Sequence, residues 1–550
     1  MTIRNFALAA LAVGALFFQS CKRDCGPDFK KLNAQAAKEY LEPVRPGVPG
    51  GQPFWNVYAN KFTFAPAFDF PEAEGAAKYR FDLWWMEDQV WREYNLPALE
   101  ERPSPAGQLQ KFLSAGQPAV SFLAESPKSD LGKVWGKMPV GYYGLVVTAV
   151  DPSGKDIAPV GTWDFFRDYP FEGPYPEACR SYRDAALMAL LYNHRHHFVQ
   201  MVRDWKEGEP FRTDRIYLSK HIGSVAESEA LMSKYIPSYR EECLENARKA
   251  ADLLIACAPP EGAVLAHIPP TYYGSSFGDM LEQTMTFDPI YAMRGFLAVY
   301  DATGDEKYLN EAVEMMRTYD RLIDDKGFVP KKIYIATGEG VNQQGALSGD
   351  LLLMIQKLRN KYGITEFDSL AGRCESWMTE NAVKEFNMSA QYEDVSVDQR
   401  PYQNLTNMTA GYYARYLMQK DNPTKEETGL ARDLLHFAED QFIHWKLPRN
   451  NNGMFFCLTP GVYEQYACKI TIDASNDCYS EAALSYYEKT GDELFYQKAR
   501  ALMNTVVNSQ SCGGEIGTMM GLFYPGESGS YWFNCAVHSI EALLRFAEYE

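Results

Sequence analysis

The chain has 550 residues, too many for one hydrophobic core of ordinary size, so two domains are expected. Hydrophobic residues make up 46% and charged residues 23%, the balance of a globular protein. The net charge of −18 repels phosphate backbones and argues against a nucleic-acid partner.

Met1 to Arg4 carry positive charge, and an apolar run from Phe6 to Phe18 follows, too short to span a bilayer as a mature helix. "FQSC" then places Cys21 after a small residue. This resembles a bacterial lipoprotein signal, although Phe18 stands where that motif usually has Leu. The resemblance implies removal of residues 1–20, lipid attachment at Cys21 and a membrane-anchored lipoprotein of the outer membrane. Residues 21–50 end in "PVRPGVPGGQP", Pro and Gly without periodicity, and are expected to be a linker; "FKKLNAQAAKEYLE" within them fits a short helix.

Residues 51–170 read as β structure. "AKYRFDLWW" alternates Tyr79, Phe81 and Leu83 with polar residues, and "GYYGLVVTAVDPSGK" is a strand running into a turn at Asp151 to Gly154. "FDFPEAEGAAKYRFDL" and "VWGKMPVGYYGLVVTAVDPSGK" resemble two strands of a fibronectin type III-like sandwich, so a β-sandwich domain is expected there.

From about residue 171 to the end the period becomes helical. "FLAVYDATGDEKYLNEAVEMMRTYDRLI" is an apolar helix, a Thr303-Gly304-Asp305 turn and an amphipathic helix, and "AALSYYEKTGDELFYQKARALMNTVV" repeats the design at Thr490-Gly491-Asp492. With two further units the turns fall near 304, 363, 421 and 491, roughly sixty residues apart. Each unit must stack on its neighbours to cover its apolar helix. An earlier hairpin is expected from 178–206 and 238–258, and a last helix in "YWFNCAVHSIEALLRFAEYE". The pattern resembles the six-hairpin glycosidase superfamily over residues 171–550. It implies a multidomain β plus all-α chain with a β-sandwich followed by an (α/α)6 toroid.

Turns inside the hairpins are short, whereas the connections 259–284, 324–344, 387–404, 446–472 and 511–527 are long, and in a ring they share one face. They carry aromatics, acids and amides, which suit a sugar cleft because apolar ring faces stack and hydroxyls take hydrogen bonds. Candidate binding residues are Tyr272, Tyr273, Glu339, Gln391, Tyr392, Arg400, Tyr463, Glu464, Trp532 and, inside the last helix, His538. Asp473, Glu515, Glu527, Asn342, Gln343 and Glu282 lie on the same connections. Hydrolysis of a glycosidic bond needs an acid and a base or nucleophile, for which Asp279 and the adjacent Glu393 and Asp394 are the candidates, with Asp394 preferred.

The expected function is a surface-tethered glycoside hydrolase. A polysaccharide lyase or uronyl-processing enzyme on the same ring is the alternative, with Lys331, Lys332 and Arg400 to neutralise an acidic sugar. A glycan-binding protein without catalysis is the third reading. No cofactor is expected, since no P-loop, GxSxG or GxGxxG context occurs. No metal is expected either: "NHRHH" puts His194 and His197 on one helical face, but no carboxylate sits at companion spacing. The eleven cysteines include no CxxC pair, and Cys243, Cys257 and Cys535 fall in apolar helical patterns, which reads as buried free thiols.

Overall fold

The computed structural model describes residues 26–44, 58–66, 73–87, 107–114, 132–341, 348–384, 386–389, 402–447, 458–466, 468–521 and 531–550. Helix α1 (Phe29–Glu39) comes first, capped by Asp28, and buries Leu32 and Ala36. The segment expected to be a linker therefore contains a docked helix: Gln35 donates to Asp492 and Asn33 to the Gly173 carbonyl.

Strands β1 (Lys61–Phe62), β2 (Lys78–Glu87), β3 (Gly107–Ser114), β4 (Gly141–Val150) and β5 (Asp156–Arg167) form one sheet in the order β1-β5-β4-β2-β3. A short helix, α2 (Gly132–Trp135), precedes β4. The β4–β5 hairpin closes at Asp151, whose side chain accepts from the backbone N–H groups of Ser153 and Lys155. Tyr79, Phe81 and Leu83 alternate inward as the sequence pattern requires. The expected sandwich would need a second, facing sheet, and the described residues hold this one.

The rest is a ring of helical hairpins. The inner helices are α5 (Leu218–Tyr235), α7 (Pro289–Thr303), α9 (Ser348–Tyr362), α11 (Asn407–Met418), α13 (Asp473–Thr490) and α15 (Phe533–Phe546). Each packs on the next, and α15 returns to α5, which closes the ring. The outer helices are α6 (Arg240–Cys257), α8 (Glu306–Leu322), α10 (Asp368–Trp377), α12 (Lys425–Phe442) and α14 (Glu493–Ser509), each on the inner helix before it. The sixth outer helix is α3 (Tyr182–Asn193), which packs on α15 from the other end of the chain. This corrects the expected first hairpin: 178–206 and 238–258 do not pair as one unit, because α3 completes the last hairpin instead. It is the six-hairpin (α/α)6 architecture implied by the repeats.

Two sequence features explain the ring's tightness. Gly304 and Gly491 end their inner helices in the left-handed conformation, which lets the chain reverse within a residue or two. At the α5–α7 contact Gly223 and Gly295 let the backbones touch; a Cβ on Gly223 would lie 2.6 Å from Tyr291 and Ala292 backbone atoms. Inner helices are buried on nearly every side, as along Asp473–Tyr486 of α13, whereas outer helices such as α8 bury one stripe.

The β region is sewn to the ring by buried charge. Lys61 of β1 donates to the Asp440 carbonyl, and the Asp440 carboxylate accepts from the N–H groups of Thr63 and Phe64. Asp168 is ion-paired with Lys61 and His444. Glu439 accepts from Lys498, Trp445 and Tyr40.

A candidate active site at the mouth of the ring

The connections before the inner helices pair with one another. Strand β6 (Ile216–Tyr217) pairs with β7 (Tyr272–Tyr273), and β8 (Gln283–Met285) with β9 (Lys332–Tyr334). Further on, β10 (Ile443–His444), β11 (Gly461–Gln465) and β12 (Cys468–Thr471) form a small sheet, and bridges join Ser389 to Leu405, Thr406 to Gln465 and Ile472 to Met519. The result is an ordered collar at the N-terminal ends of the inner helices.

Inside the collar the starts of four inner helices bury a separate apolar cluster. Phe287 and Tyr291, Met408 and Tyr412, Ala474 and Cys478, and Cys535 cluster there, with Trp532 and Met519 packed against them. Buried acids reach the same place. Asp288 occupies the N-cap position of α7, yet its side chain makes no capping bond; neither carboxylate oxygen has a close hydrogen bond, and the Thr271 hydroxyl is near enough to favour its charged form. Burial raises its proton affinity, an effect opposed by the positive charges of Lys220 and Lys332. Asp473 opens α13, accepting from the Ala474 N–H at 2.7 Å and from Ser539 Oγ at 3.3 Å. Asp477, one turn on, accepts from the same hydroxyl at 2.6 Å and leaves its Oδ1 without a partner. Burial pushes Asp473 up to about 7; burial and the Asp473 charge push Asp477 well above the carboxylate range. The pair therefore holds a proton at neutral pH.

His538 lies one turn deeper, edge-on to Tyr291 with ring centroids 5.3 Å apart and Arg294 3.2 Å from Nδ1. Burial and the Arg294 charge hold it well below the usual imidazole range, so it is neutral. Beneath it Arg294 pairs with Glu541 and Glu227, and Arg415 with Glu481.

Several sequence candidates fall at this mouth: Trp532 in the lining, His538 below it, and buried Glu464, whose charge bears on Cys535 together with that of Asp473. Others point elsewhere. Tyr463, next to Glu464 on β11, turns to the opposite side and packs edge-on against His444 of the β-region seam, as strand alternation demands. Tyr272 is buried among Tyr217, Phe277 and Met285, and Tyr273 donates to the Phe211 carbonyl. Asp279 and Glu282 are exposed on the turn Ser275–Glu282, and Glu339 is exposed beside Tyr334. Gln391, Tyr392, Glu393, Asp394, Arg400, Asn342, Gln343, Glu527 and Cys21 lie outside the described residues.

Asp288, Asp477 and Tyr291 were not singled out by sequence. Asp288 precedes a proline at a helix start and reads as a cap. Asp477 did carry a signal: Asp473, Asp477 and Glu481 recur every fourth residue along a helix that is otherwise buried.

"NHRHH" is also corrected. α3 ends at Asn193 and α4 (His197–Asp204) begins just after, so His194 and His197 flank a turn and share no helical face.

No protein-family profile and no curated protein matches the chain. Among solved structures, a family 76 glycoside hydrolase from a bovine Bacteroides thetaiotaomicron strain is similar over 88% of this chain and 100% of its own, at 11% identity and TM-score 0.47. The cellobiose 2-epimerase of Spirochaeta thermophila DSM 6192 is similar over 67% of this chain and 98% of its own, at 12% identity and TM-score 0.47. An unsaturated glucuronyl hydrolase specific for heparin is similar over 67% and 96%, at 11% identity and TM-score 0.43. The ring itself rests on the helix contacts given above.

Proposed function

We propose that the chain is a carbohydrate-acting enzyme, a glycoside hydrolase working at the mouth of the ring. The observation that carries this reading is the set of buried, incompletely partnered carboxylates, Asp288 and the Asp473–Asp477 pair, beside an aromatic lining. The Asp473–Asp477 pair, which holds a proton at neutral pH, is suited to protonate the leaving glycosidic oxygen. Asp288, whose proton affinity burial raises against the pull of Lys220, the Thr271 hydroxyl and Lys332, is suited to accept a proton as the general base. Half-buried Trp532, at the edge of the cluster that holds Tyr291 and Tyr412, is suited to stack on the sugar. Glu393 and Arg400 are kept as proposals for the substrate site, and Asp394 and Asp279 as proposals for catalysis.

The test is release of new reducing ends from a panel of oligosaccharides by the wild type, Asp288→Asn and Asp473→Asn. Wild-type activity with loss in both variants supports the reading. Full activity in both removes these residues from catalysis. Buried Lys331 and Lys332 at the collar favour a second reading, a lyase or uronyl-processing enzyme taking an acidic sugar. The signature of elimination by a lyase is product absorbing in the ultraviolet through a new C=C bond. Binding without product identifies the glycan-binding alternative.

We further propose that residues 51–170 are a fibronectin type III-like domain and that Cys21 carries a lipid anchor to the bacterial outer membrane. Wild type in the detergent phase on phase partitioning, with Cys21→Ala left in the aqueous phase, supports the anchor; identical partitioning rejects it.

A further inference from the structure

Outside the carboxylate site, three helices bring together a mixed donor set. His194 stands at the end of α3, Glu229 on α5 and Cys243 on α6, all three buried. His194 Nδ1 is 3.1 and 3.0 Å from the two Glu229 oxygens and 3.7 Å from Cys243 Sγ. One donor atom from each residue lies within 4.8 Å of the others, the one such group among the described residues.

We propose that His194, Glu229 and Cys243 form a zinc site that clasps the ring where α3 joins the first hairpin. Zinc lies about 2.0–2.1 Å from nitrogen, about 2.0–2.2 Å from carboxylate oxygen and about 2.3 Å from thiolate sulfur. Adjacent corners of such a tetrahedron put N and O about 3.4 Å apart and N and S about 3.6 Å apart. The observed spacings differ from these by a few tenths of an ångström, so an ion needs little rearrangement. Both Glu229 oxygens face Nδ1 at nearly equal distance, which allows the carboxylate to bind through two atoms and complete four donors. One thiolate and one carboxylate balance a dication, which suits a buried site.

The surroundings match what such ligands need. Asn246 Nδ2 donates to Glu229 Oε2 at 2.8 Å and orients it. His194 Nε2 faces Glu242 Oε1 at 3.5 Å, the carboxylate partner that zinc-binding imidazoles commonly have on the far nitrogen. Arg203 Nη2 is 2.9 Å from both Glu242 Oε1 and His194 Nε2, and 3.3 Å from Nδ1. It pairs with Glu242 in the loaded site. On binding, the Cys243 thiol loses its proton to solvent, the imidazole proton sits on Nε2 toward Glu242, and Zn–S, Zn–N and Zn–O bonds form with no change in oxidation state.

The same atoms without an ion make a hydrogen-bonded network, with Nδ1–H donating to Glu229 and Arg203 donating to Nε2. Metal analysis distinguishes the two. Exposed thiols such as Cys179 and Cys512 are first alkylated on the folded full-length protein. The protein is then dialysed against zinc, freed of loose metal, and its bound zinc counted. One zinc per chain is expected, with near zero in Cys243→Ser, and affinity about 10-fold or more weaker in Glu242→Gln. A variant-free check is Co2+ in place of zinc, which gives a thiolate-to-metal charge-transfer band. No bound zinc and no such band in the wild type overturn the proposal. So does zinc bound equally by a folded Cys243→Ser.

Discussion

Two buried clusters of acids, one at the seam with the β region and one at the mouth, differ in how their oxygens are used. At the seam with the β region, Glu439 receives three donors, Asp168 has Lys61 and His444, and Asp440 takes two backbone N–H groups and the Gln441 amide. At the mouth, Asp288 has no close hydrogen bond, with only the Thr271 hydroxyl nearby, and Asp477 has one oxygen idle. Both clusters are as deep, so burial alone does not separate them. Partnering differs by degree: Glu439 and Asp440 have both oxygens hydrogen-bonded, Asp168 Oδ2 is held by ion pairs alone, and Asp477 keeps one oxygen with neither.

The largest expected effect is at the mouth. Asp473→Asn keeps the shape and removes the acid, and turnover should drop by about 10²–10⁴-fold. Its stability should move the other way. Asp473 is pushed up to about 7 in the fold and titrates near 3.9 when unfolded, so its contribution is intact below about pH 4 and is lost as pH rises toward 7. The amide cannot lose a proton, so at pH 8 the variant should melt no lower than wild type. A variant that is inactive and clearly less stable would place Asp473 with the seam acids.

Lys498→Met should do the reverse. It strands Glu439 at the seam, and unfolding free energy should fall by about 3–5 kcal/mol. Activity per folded molecule should persist, as measured by denaturant titration alongside the assay. Loss of turnover without loss of stability would erase the distinction between the two clusters.

Asp440 sharpens the comparison further, because it too is pushed up to about 7 by burial although it is fully hydrogen-bonded. Wild-type stability should decline between about pH 4 and 7, and Asp440→Asn should flatten part of that decline without altering the pH profile of turnover. A shifted activity profile would tie the seam to the site.

The smallest effect concerns the lining. Trp532→Ala should remove one stacking face and raise KM about 2–12-fold, leaving kcat nearly unchanged. Equal KM values would mean that the sugar does not reach Trp532.

The sequence by itself determined the helical hairpins and the face that bears the long connections, because helix period, Thr-Gly-Asp turns and loop length are local properties. Trp532 and Glu464 were legible for the same reason: aromatics and acids on long connections stand out. Only the tertiary structure decided that α3 closes the last hairpin, since that pairing joins the two ends of the ring across more than three hundred residues. It also decided between acids of similar sequence context. Asp279 stood out as a cleft acid and Asp288 did not, but the first stands in water and the second is buried with no close hydrogen bond. Burial and partnering depend on which distant chains surround a carboxylate, and no local pattern encodes them. The donor set of His194, Glu229 and Cys243 makes the same point: its three residues lie on separate helices, so no companion spacing along the chain could reveal it.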